Sequence, residues 1–310
     1  MRVEEIDARL ASDEELRRVY EVERACRPEL NPGEPPRTEA ETFAFHRFQP
    51  ETHTSCLWTA DGGFAALYVH GPTAAFADVQ VHPDRRRAGI GAALAEAVLE
   101  RCRELEVVSL HSAWATPAGE AFARRFGGVD GQRLIHSVLD LRAAELPEPQ
   151  LPDGWRVVTW FDHVPDEHLD AYVRARLAMD DAPTPADLDY PSASAHQVRA
   201  SERSLRLRER EMRLTVAQHE SGEIGAFTEL RVSRGSAAGF TDDTGTVAAH
   251  RGRGLARAVK VASLRLLRDD HPELVVVTTT NAEENDVMRH INRTLGFAPA
   301  RTFTQIAFKP

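Results

Sequence analysis

Cysteine is scarce in this chain, with three in 310 residues (Cys26, Cys56 and Cys102), an odd number and none in C-x-x-C spacing. That scarcity excludes a disulfide-stapled scaffold and a structural zinc site, so no metal is expected, and it points to a reducing compartment. Long apolar runs are also missing: none approaches the ~18 residues that span a bilayer. Residues Met1 to Asp7 are charged from the second position onward. The expectation is a soluble, cytoplasmic protein with no membrane partner. Positive charge is in deficit, with 38 basic against 48 acidic residues and a net charge of −10. A nucleic-acid partner, which needs a basic field, is disfavoured, and a cationic small molecule fits better. Most of the excess acid precedes residue 150, where 17 basic face 25 acidic side chains, against 21 and 23 afterwards. Lysine occurs only at 260 and 309, a bias that genome composition produces as readily as function.

What the chain does have is an internal repeat. At roughly 150 residues per domain the length favours two domains, and one segment recurs at an offset of 165. Placing Arg86 on Arg251 aligns Asp78 with Asp243, Gly89 with Gly254 and Gly91 with Ala256. Each loop is followed by apolar residues at helical spacing, Ile90-Leu94-Val98 and Leu255-Val259-Ala262-Leu266. A β-branched run follows each helix, at 107–110 and 274–280, and then a second helix that stops at Gly127 or Gly296. Strand patterns precede each loop, over 55–69 and over 213–232 with a turn at Ser221-Gly222. Three prolines between Leu146 and Gly154 read as a stiff linker. The expected organisation is mixed α/β: domains over 1–145 and 155–310 joined by a linker over 146–154. The charge-rich stretch 193–212 reads as a surface helix.

A strand, a loop Arg-x-x-Gly-x-Gly/Ala and a helix gather unpaired backbone N–H groups and the positive helix end at one point. With Arg85, Arg86, Arg87, Arg251 and Arg253 nearby, such a point suits a pyrophosphate. Neither G-x-x-x-x-G-K-[ST] nor G-x-G-x-x-G with a following acid occurs, which removes the P-loop and dinucleotide readings.

These residues, with Val79, Val81 and Pro83 ahead of the first loop, resemble motif A of the GNAT superfamily of acyl-CoA-dependent N-acetyltransferases. The run Asn281-Ala282-x-x-Asn285-x-x-Met288-x-x-Ile291-Asn292-x-x-Leu295-Gly296-Phe297 is similar to that family's motif B. The resemblance covers about 75 residues of each half, as in tandem members of the superfamily. It implies two GNAT-like domains, each a twisted mixed β-sheet flanked by helices, with acetyl-CoA as cofactor. Coenzyme A would be held by Arg86, Arg87, Ala88, Gly89, Ile90 and Gly91, and by Arg251, Gly252, Arg253, Gly254, Leu255 and Ala256. The backbones of Val79 and Val81, and of Gly245, Thr246 and Val247, would hydrogen-bond the pantetheine and polarise the thioester. Asn281 and Asn285 read as pantetheine contacts or as helix caps.

Acyl transfer to an amine needs a group to take the amine proton and a route for the thiolate to leave. Asp243, Asp242 and Glu229 supply carboxylates in the second half, as base or as anchor for a cationic amine; each is equally readable as a solvated acid. Family members carry a tyrosine acid four residues before the Gly-Phe glycine, where this chain has Asn292 and, in the first half, Ala123. Asparagine donates no proton at neutral pH, which places acid catalysis there in doubt. The first half, with Trp114-Ala115-Thr116-Pro117 and Gly127-Gly128 where the motif differs, reads as catalytically eroded. The expectation is an N-acetyltransferase that acts on a small-molecule primary amine by direct attack in a ternary complex in the C-terminal domain, as monomer or homodimer. The alternative is a non-catalytic acyl-CoA-binding protein. The acidic segment 179–185 is a candidate acceptor loop.

Overall fold

The computed structural model describes residues 2–50, 53–70, 73–181 and 193–310. In chain order its elements are β1 (Glu4–Ile6), α1 (Asp13–Leu30), α2 (Glu39–Arg47), β2 (His53–Ala60), β3 (Gly63–His70), β4 (Ala74–Val81), α3 (Ile90–Glu104), β5 (Ser109–Trp114), α4 (Pro117–Arg125) and β6 (Val129–Asp140). There follow β7 (Trp155–Phe161), α5 (Asp166–Arg176), α6 (Ala195–Leu207), β8 (Arg210–His219), β9 (Ile224–Ser233), β10 (Ala238–Thr246), α7 (Leu255–Asp270), β11 (Val276–Ala282), α8 (Asp286–Thr294) and β12 (Ala298–Phe308). Among the described residues they form two compact units: the chain up to Leu134 with Arg301–Pro310, and the chain from Ile135 to Ala300. The Pro-rich segment 146–154 therefore lies in the second unit. No helix among the described residues is long and apolar enough to cross a membrane.

In the first unit β1 to β4 pair antiparallel in sequence order, and β5 joins β4 in parallel. Residues Thr304–Phe308 of β12 pair antiparallel with Leu110–Trp114 of β5. Strand alternation sorts the core onto both faces of the sheet. Leu57 and Phe64 pack with Leu16, Val19 and Cys26 of α1, while Trp58, Ala65 and Leu67 pack with Ile90, Leu94 and Val98 of α3. Both first helices begin at capping boxes, Ser12 with Glu15 and Thr38 with Glu41, which satisfy otherwise unpaired N–H groups.

The second unit repeats this order. Strands β7 to β10 are antiparallel, β11 is parallel to β10, and β6 lies next to β11. Trp160, Tyr172, Leu205, Leu214 and Phe227 form a core under α5 and α6. Leu255, Val259, Val261 and Leu264 of α7 bury the opposite face. The stretch expected as one surface helix breaks at Glu209, which has φ +50°, and continues as β8 with Met212 buried. The β-runs expected to start at 107 and 274 begin pairing as β5 and β11 two residues later, because Val108 and Val275 are taken up by the turns at Thr73 and Ala237.

Candidate active site

Each unit splits its sheet at the same place. β4 pairs with β5 from Ala74/Ser109 only as far as Phe76/His111, and β10 with β11 from Ala238/Val276 only as far as Thr241/Thr279. Beyond those pairs the parallel ladder ends and an edge of unpaired backbone faces the opening. Asp78 and Asp243 each stand two residues past the last pair.

In the second unit the register of β10 on β9 slips between Thr241, opposite Leu230, and Thr244, opposite Thr228. Asp242 and Asp243 therefore both oppose Glu229, a β-bulge that re-aims side chains. It brings Asp242, Asp243 and Glu229 together, with one carboxylate oxygen of each within 4.8 Å of the others. Two guanidiniums offset part of the cluster's charge. Arg176, at the end of α5, donates to Glu229 and, at 2.6 Å, to Asp243. Arg231 donates to Glu229 at 3.1 Å and pairs with Asp242 at 2.6 Å. The Tyr172 hydroxyl also donates to Glu229.

These contacts set the proton affinities. Burial raises Glu229, which is 4% exposed, but Arg176, Arg231 and Tyr172 outweigh it and hold the carboxyl below its ordinary value. Asp243 goes the other way: burial and the neighbouring Asp242 charge push it up to about 6, against the pull of Arg176. In the first unit burial likewise raises Asp78 to about 6, although Gln80 donates a 2.7 Å hydrogen bond to it.

The two loops that follow are near copies. Gly89 (φ +84°) and Gly254 (φ +79°) are left-handed N-caps of α3 and α7, with no side-chain cap on either helix. A Cβ on either glycine would meet nothing within 4 Å, so each cap borders open space. Two residues earlier the backbone is left-handed again, at Gly252 (φ +75°) and at Arg87 (φ +67°). Alternating left-handed residues turn successive N–H groups to one side, the geometry of an anion nest. Arg86 and Arg251 bond the carbonyls of Val81 and Thr246 and pair with Glu29 and Asp181 at 2.7 and 2.6 Å. Arg253 and the helix residues Ile90, Gly91, Leu255 and Ala256 complete the two loops. The chemistry of this donor set suits a pyrophosphate.

The amides of the splayed strand are not all free. His82 and Val247 donate to the carbonyls of Gly62 and Gly225 at 2.8 and 2.9 Å. Alternation along an antiparallel pair then turns Gly245 toward β9 as well. The residues in phase with the opening are Val79 and Val81 in the first unit, and Thr244 and Thr246 in the second. Val247 and Gly245 thus lack the free amides expected of them, and Thr244 was not among the expected residues.

Asn285 is the N-cap of α8, accepting from Met288 N at 3.2 Å, so capping is the role its geometry shows. Asn292 is buried and its side-chain amide donates to Asn281 at 2.5 Å, leaving its own side-chain oxygen Oδ1 without a partner. Lys260 of α7, which sequence reasoning passed over, is 2% exposed and lies 5.6 Å from the centre of the Phe297 ring; burial alone lowers it to about 7. Residues 182–185 of the expected acceptor loop lie outside the described residues.

Residues 16–127 match the model of the Acetyltransferase (GNAT) family. A mycothiol acetyltransferase of Saccharomonospora viridis is 28% identical, over 98% of this chain and 97% of that protein. One from Amycolatopsis mediterranei is 32% identical over 62% of each chain. Among solved structures, a tandem GNAT protein from the clavulanic acid biosynthesis pathway superposes with a TM-score of 0.84 at 25% identity, covering 99% of this chain and 98% of that one. A GCN5-related N-acetyltransferase from Sphaerobacter thermophilus shares the fold, with a TM-score of 0.75 at 16% identity and 99% and 96% coverage. With the duplicated loop and splayed sheet already in view, residues 16–127 match the GNAT acetyltransferase family, and nearly the whole chain is similar to a tandem GNAT protein and to a mycothiol acetyltransferase.

Proposed function

We infer that the second unit transfers the acetyl group of acetyl-CoA to a primary amine of a small molecule by direct attack in a ternary complex, with Asp243 as base. The observation that carries this reading is the bulge that holds Asp243 at the sheet's opening with its carboxyl raised to about 6. A carboxylate that ionises just below neutral pH is both available and basic enough to take a proton from an amine. Three carboxylates against two guanidiniums leave one net negative charge, which attracts the ammonium form of an acceptor; that ammonium loses one proton to solvent before the neutral amine attacks, and Asp243 takes the second proton from the tetrahedral adduct as the thiolate leaves. Glu229, held ionised by two arginines, anchors rather than exchanges protons. The loop amides and Arg251 would hold the pyrophosphate, and the amides of Thr244 and Thr246 would bind pantetheine and stabilise charge on the carbonyl oxygen. Bound acetyl-CoA supplies the activated acyl group. Asn292 has no proton to give, and the departing thiolate, with a thiol pKa of ~8.5, leaves without one. The mycothiol acetyltransferase relatives are consistent with acetyl transfer to a small molecule.

The test is the pH dependence of kcat/KM on an amine panel. Wild type is expected to show a rising limb at about pH 6, followed by a second rise toward the pKa of the amine itself. Asp243→Asn should lose that limb and about 100-fold or more of kcat. An unchanged limb and rate would remove Asp243 from the mechanism, and intact acetyl-CoA binding with no thiol release from any amine would favour a purely binding role.

A further inference from the structure

The first unit contains a cavity of about 110 Å³ where β4 and β5 part. Its wall is formed by Leu110, Trp114, Phe122, Phe126, Ile306 and Phe308, with Asp78 and Ser112 near the splay. An apolar cavity of roughly 150 Å³ holds a benzene ring and stays free of water, so a space of this size and lining takes a short hydrocarbon chain.

The second unit is built differently at the same positions. Ala95 is the sixth residue after the N-cap Gly89, and Lys260 is the sixth after Gly254; Val98 and Ser263 correspond in the same way. Trp114 and Asn281 lie five residues beyond Ser109 and Val276, which begin equivalent parallel pairings. Ala123 and Asn292 are the seventh residues of nine-residue helices. Four positions that line the apolar cavity in the first unit thus carry polar side chains in the second. Asn292 donates to Asn281, and Lys260 is buried with its ammonium 5.6 Å from the centre of the Phe297 ring.

The geometry points to a division of acyl-group selectivity: the first unit binds a CoA thioester whose acyl chain has about four to six carbons, lodged in the apolar cavity, while the second unit is confined to acetyl. This rests on the reading that both loops hold coenzyme A. Each methylene buried is worth about fourfold in affinity. A hexanoyl group, with four more methylenes than acetyl, should therefore bind the first unit at least tenfold more tightly even if half of them are buried.

The experiment is calorimetric titration of the full chain carrying Gly254→Glu, which places a carboxylate in the second loop, with acetyl-CoA, hexanoyl-CoA, free CoA and sodium hexanoate. The expected result is a single site that prefers hexanoyl-CoA to acetyl-CoA by at least tenfold, with hexanoate alone binding weakly. Ala123→Leu, which fills the cavity, should abolish the preference; Ala95→Leu does the same from the opposite wall and serves if the first variant does not fold. Equal binding of the two thioesters overturns this inference and leaves the CoA reading standing. Tight binding of free hexanoate, or a preference that survives both fillings, also overturns it. Failure of CoA and both thioesters to bind overturns the inference together with the reading beneath it.

Discussion

At the residue scale the two loops differ at one backbone position. Arg87 adopts φ +67° where its counterpart Gly252 has φ +75°, and a side chain in that region carries steric strain that glycine does not. Arg87→Gly is expected to stabilise the protein by about 0.5 kcal/mol, the strain relieved less the extra freedom of the unfolded glycine. Urea unfolding checks this, and a loss of stability would show that Arg87 makes contacts that offset its strain. Lys260 is a second residue-scale case. Its folded value of about 7 lies below the ordinary 10.5. Below pH 7 both states hold the proton and the folded state bears the full cost of burying it. Between 7 and 10.5 the unfolded state binds more protons, so stability rises with pH. Lys260→Met should therefore raise the urea midpoint clearly at pH 7 and much less at pH 10. An equal gain at both would mean that the ammonium is solvated in the folded chain.

At the scale of elements, the acidic cluster ties α5 to β9 and β10. Removing Glu229 leaves Arg176 and Arg231 buried without their shared partner, which for a buried ion pair costs about 3–5 kcal/mol. Glu229→Ala should show that loss in chemical denaturation, and pairing it with Arg176→Ala should recover part of it. Additive losses would mean that the two side chains are not coupled. The cluster also marks how far the sequence could be read. The order strand, loop, helix, strand, helix was visible because glycine at a left-handed cap and apolar residues at helical spacing are local signals. Asp243 and Glu229 were visible as acids on neighbouring strands. The bulge that makes both aspartates oppose Glu229 was not, since a register slip leaves no local mark in β10. Arg176 was equally hidden: it lies 53 residues before Glu229, on a helix whose charged residues otherwise look like solvated ones. The choice among the amides of Gly245, Thr246 and Val247 needed the pairing phase with β9, which residue types do not encode.

At the scale of the whole molecule, the last strand from Arg301 onward belongs to the first unit. Thr304–Phe308 pair with β5, and Ile306 and Phe308 line the cavity there. The duplicated motifs announce two units, but composition does not reveal that residues 301–310 return to the first, because their pattern suits either sheet. Truncation after Ala300 exposes the β5 edge and removes one wall of that core. It should lower the unfolding transition of the first unit while the second unit's transition persists in calorimetry; an unaltered first transition would show that β12 contributes nothing there.

The proposed function puts acetyl transfer in the second unit, on coenzyme A held by the loop at Gly254. The most direct measurement is thiol release from acetyl-CoA with an accepted amine, comparing wild type with Gly254→Glu and Gly89→Glu, each of which sets a carboxylate where the pyrophosphate would lie. Release is expected to be lost in Gly254→Glu and retained in Gly89→Glu. Release lost in Gly89→Glu and retained in Gly254→Glu would place the transfer in the first unit and contradict the proposed function.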